Sequence, residues 1–342
     1  MKTLKRSTTI TLAATLLAGT AAIASAAEVN IYSARHYQTD EQLYNGFTEA
    51  TGIKINRIED DSDKLISRIE AEGRNSPADI LVTVDAGRLW RAEEKGIFAE
   101  TSSDTLTKRI PASLRHPDGE YFGFSKRARL IFFNKAEMKD PPKTYEALAD
   151  PKYKGEICIR SSSNMYNLSL MASMIEAHGE EKALEWAKGV VANMARAPKG
   201  GDTDQIKAAA AGECGIAVAN HYYFVRLMTS DKAADQDVVK AMGVVFPNQD
   251  DRGTHVNISG AGVLKNAPNK ENAVKFLEYL ASDQAQQYFA VGNYEYPVVD
   301  TVKPAEVVAD LGHDFKQDPV NVSAYGRNQA QAQKLLDQAG WK

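Results

Sequence analysis

The feature that most restricts the fold of this chain is an alternation of short apolar strands with amphipathic helices. Glu28–Tyr32 alternates apolar and polar residues and reads as a first strand. Thr39-Asp40-Glu41-Gln42 has the pattern of a capping box, and Leu43, Phe47 and Ala50 continue it as a helix stopped at Gly52. Ile53–Ile58 is a second strand. Ser62–Gly73 is a second helix, striped by Leu65, Ile66 and Ile69. Ile80–Val84 is a buried strand, and Asp85–Lys95 a helix closed by Gly96. This repetition implies an α/β fold with parallel sheets and helices on both faces. A length of 342 residues favours two domains.

Gly123–Phe133 is a long strand leading out of the first unit. Strands follow around Ile157–Ile159 and at Glu213–Val218. Helices are expected at Tyr145–Ala149, from Ser161–Asn164 to about His178, and at Glu180–Ala195 and Thr203–Ala211. Val244-Val245-Phe246-Pro247 reads as a strand returning to the first unit, and Gly260–Leu264 as a strand or turn. Asn269–Ala281 and Asp283–Gln287 are helical, and Ser323–Ala339 is one terminal helix. There is no internal repeat or long linker. The two lobes are therefore interleaved, with the chain crossing between them more than once.

The first 26 residues stand apart from this pattern. Lys2, Lys5 and Arg6 form a basic head, Thr9–Ala22 is a short run of apolar and small residues, and Ala24-Ser25-Ala26 fits a small-x-small cleavage site. This is the pattern of a cleaved secretory signal peptide, and it points to the periplasm. No later run reaches transmembrane length. Without the basic head, 38 Lys and Arg face 45 Asp and Glu, a formal charge of −7 against −4 for the whole chain. Such an acidic balance argues against a nucleic-acid partner. In an oxidising compartment Cys158 and Cys214 either form a disulfide or remain two buried thiols. Zinc is disfavoured, because Cys-x-x-Cys and close Cys/His spacings are lacking.

Three loops between a strand and the following helix share one design: Tyr32–Tyr37, Ser161–Tyr166 and Asn220–Tyr223. In open α/β sheets, ligands bind beyond the carboxyl ends of the strands. His36, Tyr37, Tyr166, Tyr222 and Tyr223 can therefore face one crevice. Tyr222 and Tyr223 would diverge on a strand but much less at the first turn of a helix, where free N–H groups favour negative charge. A phenol has an ordinary pKa of about 10, so a bound cation or an Arg must help it ionise. Phenolates and an imidazole are hard donors that suit a trivalent ion such as Fe(III). Magnesium and calcium prefer carboxylates, carbonyls and water. The same tyrosines can also form the contact platform of a pocket for a small organic or oxyanion solute. His221 is read as structural. Ser161-Ser162-Ser163 invites a hydrolase, but there is no Gly-x-Ser-x-Gly elbow.

Several motifs together carry a resemblance. They are Val29-Asn30-Ile31-Tyr32-Ser33 with His36-Tyr37; Ser76-Pro77-Ala78-Asp79-Ile80; Arg127-Ala128-Arg129; Tyr153-Lys154-Gly155; Ser162-x-Asn164-x-Tyr166-Asn167-x-Ser169-Leu170; Asn220-x-Tyr222-Tyr223; Ser259-Gly260-Ala261-Gly262-Val263; and Glu295-Tyr296-Pro297-Val298. In these the chain resembles the periplasmic ferric-ion-binding proteins, the substrate-binding subunits of iron ABC importers. The resemblance implies a two-lobed type II periplasmic binding-protein fold, with an N-terminal lobe of 27–125 and 246–298 and a C-terminal lobe of 126–245 and 299–342. It implies a monomer that binds Fe(III) and hands it to an inner-membrane ABC permease, and no enzyme activity. The Tyr-Tyr pair supplies two ligands in the family, which carries over to Tyr222 and Tyr223. Some members add a Glu, which falls at or beside Val84 here and is missing. Tyr37 and Tyr166 place the chain in a tyrosine-rich subgroup, with less need for an added anion such as carbonate. His36 is either a further ligand or a neighbour of the metal. Arg127 matches the position that contacts an anion or a phenolate; otherwise it is an exposed strand residue.

Overall fold

The computed structural model describes residues 27–35 and 37–342. The proposed signal peptide, 1–26, and His36 lie outside the described residues. Among the described residues nine strands are formed: β1 (Glu28–Ser33), β2 (Lys54–Glu59), β3 (Ile80–Val84), β4 (Phe122–Asn134), β5 (Ile157–Cys158), β6 (Ile216–Asn220), β7 (Met242–Val245), β8 (Val256–Val263) and β9 (Tyr296–Pro297). They run in the order β2-β1-β3-β8-β4-β6-β5, with β7 and β9 also paired to β4.

The pairing departs from the expected parallel sheets. β1 is parallel to β2 and β3, and β5 to β6, but every strand that meets β4 runs antiparallel to it. β4 has 13 residues, about 40 Å of extended chain. Its first half pairs with β8, from Phe122↔Ala261 to Ala128↔Val256. Its second half pairs with β6, from Arg129↔Asn220 to Phe133↔Ile216, and with β7. One strand thus belongs to two sheets, and the change of partner falls between Ala128 and Arg129.

Backbone groups at that change are held by side chains. The Ala128 N–H donates to His221 Nδ1 (3.2 Å), and the Arg129 carbonyl accepts from the Tyr145 hydroxyl (2.6 Å). The return segment is bound there too: the Arg129 N–H donates to the His255 carbonyl (3.1 Å), and the His255 N–H to Tyr145 Oη (3.1 Å). Buried main-chain groups at a crossing need such partners, since an unpaired one is costly.

Most helices lie where their apolar stripes put them. Leu43 and Phe47 are buried from the helix Asp40–Thr51, and Leu65, Ile66 and Ile69 from Ser62–Glu72. Gly52 takes the left-handed conformation (φ 70°) that ends the first of these. The capping box is not formed. Thr39 is itself helical (φ −67°, ψ −21°), which turns its hydroxyl away from the helix start and toward Asn293 Oδ1 (3.1 Å). The terminal helix is two, Ser323–Arg327 and Gln329–Ala339. Gly326 lies so close to Trp90 that a Cβ there would sit 2.1 Å from it. The helix Ala233–Ala241 is absent from the sequence reading; it buries Asp235 and packs the half-buried Val238 and Val239 against the core.

Cys214 lies two residues before β6, not within a strand. It still reaches Cys158, because β5 and β6 are neighbours in register at Ile157↔Ile216. The two cysteines are joined, with Cα atoms 6.0 Å apart across 56 residues of chain. Among the described residues, no helix is long and apolar enough to cross a membrane. Closing a loop of that length restricts the unfolded chain by about 4 kcal/mol on the chain-entropy model. The double variant Cys158→Ala, Cys214→Ala is therefore expected to lose about that much stability in guanidinium unfolding. Dithiothreitol should reproduce the loss in the wild-type protein and leave the variant unchanged.

Candidate metal centre

Tyr222 and Tyr223 open the helix His221–Met228, immediately after β6. At this first turn their side chains stay together, with ring centroids 4.3 Å apart and planes at 32°. Tyr166 is the second residue of the helix Met165–His178, whose cap, Asn164, accepts a hydrogen bond from the Tyr166 N–H (3.1 Å). Its hydroxyl lies 3.2 Å from that of Tyr222. Tyr37 sits between β1 and the helix Asp40–Thr51. The Arg226 guanidinium carbon lies 5.6 Å from the Tyr37 ring centroid, 5.1 Å from that of Tyr222 and 5.8 Å from that of Tyr223. Residues from three distant parts of the chain therefore meet, and all four candidate tyrosines belong to one cluster. Among the described residues, no three His, Cys, Asp or Glu side chains gather to hold a metal. The hard donors that do gather are phenols.

The environment of Tyr37, Tyr222 and Tyr223 keeps these three protonated. Burial raises Tyr222 well above the ordinary phenol range; the neighbouring phenols Tyr166 and Tyr223 add to this, while Arg127 opposes it. Burial also raises Tyr223, with Tyr166 adding to the effect. Tyr37 is raised by burial and by Glu295, with Arg35 and Arg127 pulling the other way. At neutral pH these are neutral hydroxyls, and a cation must arrive before they become phenolates.

Guanidinium groups surround the cluster. Arg127, Arg129 and Arg160 stand 5.8, 5.8 and 5.5 Å from the centroid of the Tyr166 ring. Arg127 is buried, which corrects the reading of it as an exposed strand residue. It donates to the Ile258 carbonyl, and its Nε lies 3.9 Å from Glu295 Oε1. Arg35 is also buried. It grips both oxygens of Asp40 (2.9 and 3.1 Å), Ser259 Oγ (2.7 Å) and Glu295 Oε2 (3.1 Å), and it stacks on the Tyr37 ring at 4.9 Å. The loop that carries Tyr37 is anchored through this residue.

Arg35, Glu295, Arg226 and Arg129 had not been assigned roles from the sequence. Arg226 had a signal, because it follows Tyr222 and Tyr223 by about one helical turn. The Arg35–Glu295 contact spans 260 residues and leaves no local trace. Val84 ends β3 with no carboxylate. The neighbouring Asp85 accepts from the Gly87 N–H (2.9 Å), Ser169 Oγ (2.7 Å) and Asn257 Nδ2 (3.0 Å), so its oxygens are held by the fold. His221 is structural, as expected. Its Nδ1 accepts from Ala128, and its Nε2–H donates to the Tyr294 carbonyl (2.8 Å). Ser161 and Ser163 bond each other (3.0 Å).

Known proteins resemble this chain over most of its length. The family model described as bacterial extracellular solute-binding protein matches residues 75–316. The chain is 53% identical to iron uptake protein A1 of Synechocystis sp. over 316 residues, covering 92% of this chain and 88% of that protein. It is 30% identical to the major ferric iron-binding protein of Neisseria meningitidis over 346 residues, covering 97% of each. Among solved structures it is similar to a Trichodesmium protein in complex with iron and citrate, with a TM-score of 0.90 and 58% identity, over 92% of this chain and 100% of that one.

His221 makes the stability of the turn depend on pH. Burial lowers its pKa from 6.5 to about 3; the backbone contacts to Tyr294 and Ala128 oppose this only in part. Between these values the unfolded chain binds a proton that the folded chain does not. Stability is therefore lost as pH falls from 6.5 toward 3, by up to about 1.4 kcal/mol per unit. Urea unfolding at pH 7 and pH 5 should show a fall of about 2 kcal/mol from this residue. His221→Gln should lack that component of the pH dependence.

Proposed function

The chain belongs to the bacterial extracellular solute-binding protein family, and on that premise we propose that it is the substrate-binding component of an iron ABC importer, carrying Fe(III) in the periplasm to an inner-membrane permease. Its fold is the two-lobed type II periplasmic binding-protein fold. The lobes are taken as 27–125 with 246–298, and 126–245 with 299–342. β4 and the 246–255 return segment are then the two hinge crossings. The observation that carries the reading is the convergence of Tyr37, Tyr166, Tyr222 and Tyr223, with Tyr166 Oη 3.2 Å from Tyr222 Oη. A platform for an organic solute has no need for phenol oxygens brought so close to each other.

In this reading those four tyrosines are the ligands, and His36 is a fifth donor or a neighbour of the metal. Three or four phenolates bring a trivalent ion close to neutrality. Arg127, buried beside the Tyr166 ring, meets the phenolate charge or an added anion such as carbonate. The structural neighbour bound to iron and citrate supports a site open to such an anion. The protein works as a monomer and transports its cargo unchanged, without catalysis. Lobe closure about these two crossings shields the ion, and reopening at the permease releases it.

Titration of the purified protein with Fe(III) should produce a visible phenolate-to-iron band. Tyr222→Phe and Tyr223→Phe should each weaken affinity by more than about 100-fold, beyond the usual cost of losing an outer hydrogen-bond partner, and shift or abolish the band. A band unchanged in both variants would sink the ligand assignment. Each ligand releases a proton on binding, so affinity falls with pH. Acidification from pH 7 to pH 4 is expected to bleach the band, and neutralisation with iron still present to restore it.

A further inference from the structure

Tyr166 and the Tyr222–Tyr223 pair stand on different helices that follow different strands. Both turns are gripped by one buried side chain, Arg129, which is 1% exposed. Arg129 lies on β4, opposite Asn220 in the ladder with β6. Its Nη1 donates to Asn220 Oδ1 (3.0 Å) and to Asp202 Oδ2 (3.2 Å). Its Nη2 donates to Asn167 Oδ1 (2.8 Å) and reaches the Val218 carbonyl (3.4 Å). The contacts continue outward. Asp202 Oδ2 also accepts from the Asn220 N–H (2.8 Å), and Asn167 Nδ2 donates to the Arg160 and Ser161 carbonyls (2.8 and 3.1 Å). One guanidinium therefore holds the residue after Tyr166 and the residue two before Tyr222.

Asp202 is fully buried beside it. A buried ion pair contributes little net stability, because desolvation offsets the attraction. What it does supply is direction: the planar fork fixes several acceptors at once, which a point charge on a flexible stem cannot do. Resting on the ferric-iron reading above, we propose that Arg129, with Asp202 as its counter-charge, is a positioning residue that sets the separation of Tyr166 from Tyr222–Tyr223 and so tunes the grip on iron.

Arg129→Lys keeps the charge and removes the fork. Asn220→Ala removes one acceptor and no capping hydrogen bond, so it leaves the helix start intact. Thermal unfolding by circular dichroism, the maximum of the visible iron band and the rate of Fe(III) loss to excess citrate are measured for each. Arg129→Lys is expected to shift the band maximum and weaken iron retention by about 10- to 100-fold, with a smaller change in the same direction for Asn220→Ala. Because the charge is unchanged in Arg129→Lys, a shifted band reports ligand geometry. Should Arg129→Lys fail to fold, Asn220→Ala decides. A wild-type band with variants matching it in maximum and release rate overturns the positioning role alone. No band in the wild-type protein overturns the iron reading and this inference with it.

Discussion

Everything in this molecule depends on the hydrogen-bond ladder of β4. A strand is ordinarily a member of one sheet. Here the ladder passes from β8 to β6 and β7 between Ala128 and Arg129. That step makes two sheets out of one continuous chain. It also brings the turn after β6, which carries Tyr222 and Tyr223, up to the crossing. Arg127 and Arg129 lie on either side of the change of partner. They point their charges at the same tyrosine from the two sheets, each 5.8 Å from the Tyr166 ring. The crossing and the site are therefore one construction. Any rotation about the crossing must alter the arrangement of the phenols.

The second dependence is electrostatic. Burying arginines is costly unless each finds a carboxylate. Arg35 finds Asp40 and Glu295, Arg127 has Glu295 within 3.9 Å, and Arg129 has Asp202. These carboxylates are spent on the guanidiniums and Asp85 on the fold, which leaves phenol oxygens as the donors that face the cluster. His221 extends the link: it joins the Tyr222 turn to β4 at Ala128 and to Tyr294, the residue before Glu295. A chain of contacts thus runs from Tyr222 through His221, Tyr294, Glu295 and Arg35 to the loop bearing Tyr37.

Local patterns made much of this legible in the sequence. The strand–helix alternation, the Tyr222–Tyr223 pair at a strand-to-helix turn, and the caps at Asn164 and Gly52 each depend on a few neighbouring residues. The rest was hidden for physical reasons. Pairing direction is set by which strands meet, so the antiparallel contacts of β4 were not visible and parallel sheets were expected. Thr39 has the residue type of a cap, but its backbone is helical and its hydroxyl goes to Asn293, 254 residues away. The Ala233–Ala241 helix is short and turns only Val238 and Val239 partly into the core, a weak signal. The guanidinium contacts link residues up to 260 positions apart, and composition carries no record of them.

A tyrosine site also selects its cargo through its protons. At pH 7 an ordinary phenol resists ionisation by about 4 kcal/mol, and the burial that raises Tyr37 and Tyr222 increases this. A site of carboxylates would stand charged when empty and would attract any divalent ion. A site of neutral phenols bears no such charge and gives one only to an ion acidic enough to displace several protons together. Fe(III) does so far more readily than calcium or magnesium, which prefer carboxylates, carbonyls and water. Arg35 and Arg127 temper this barrier, since their charge favours the phenolates once protons leave. On the proposed ligand assignment, burial, commonly a cost to a metal site, acts as the filter.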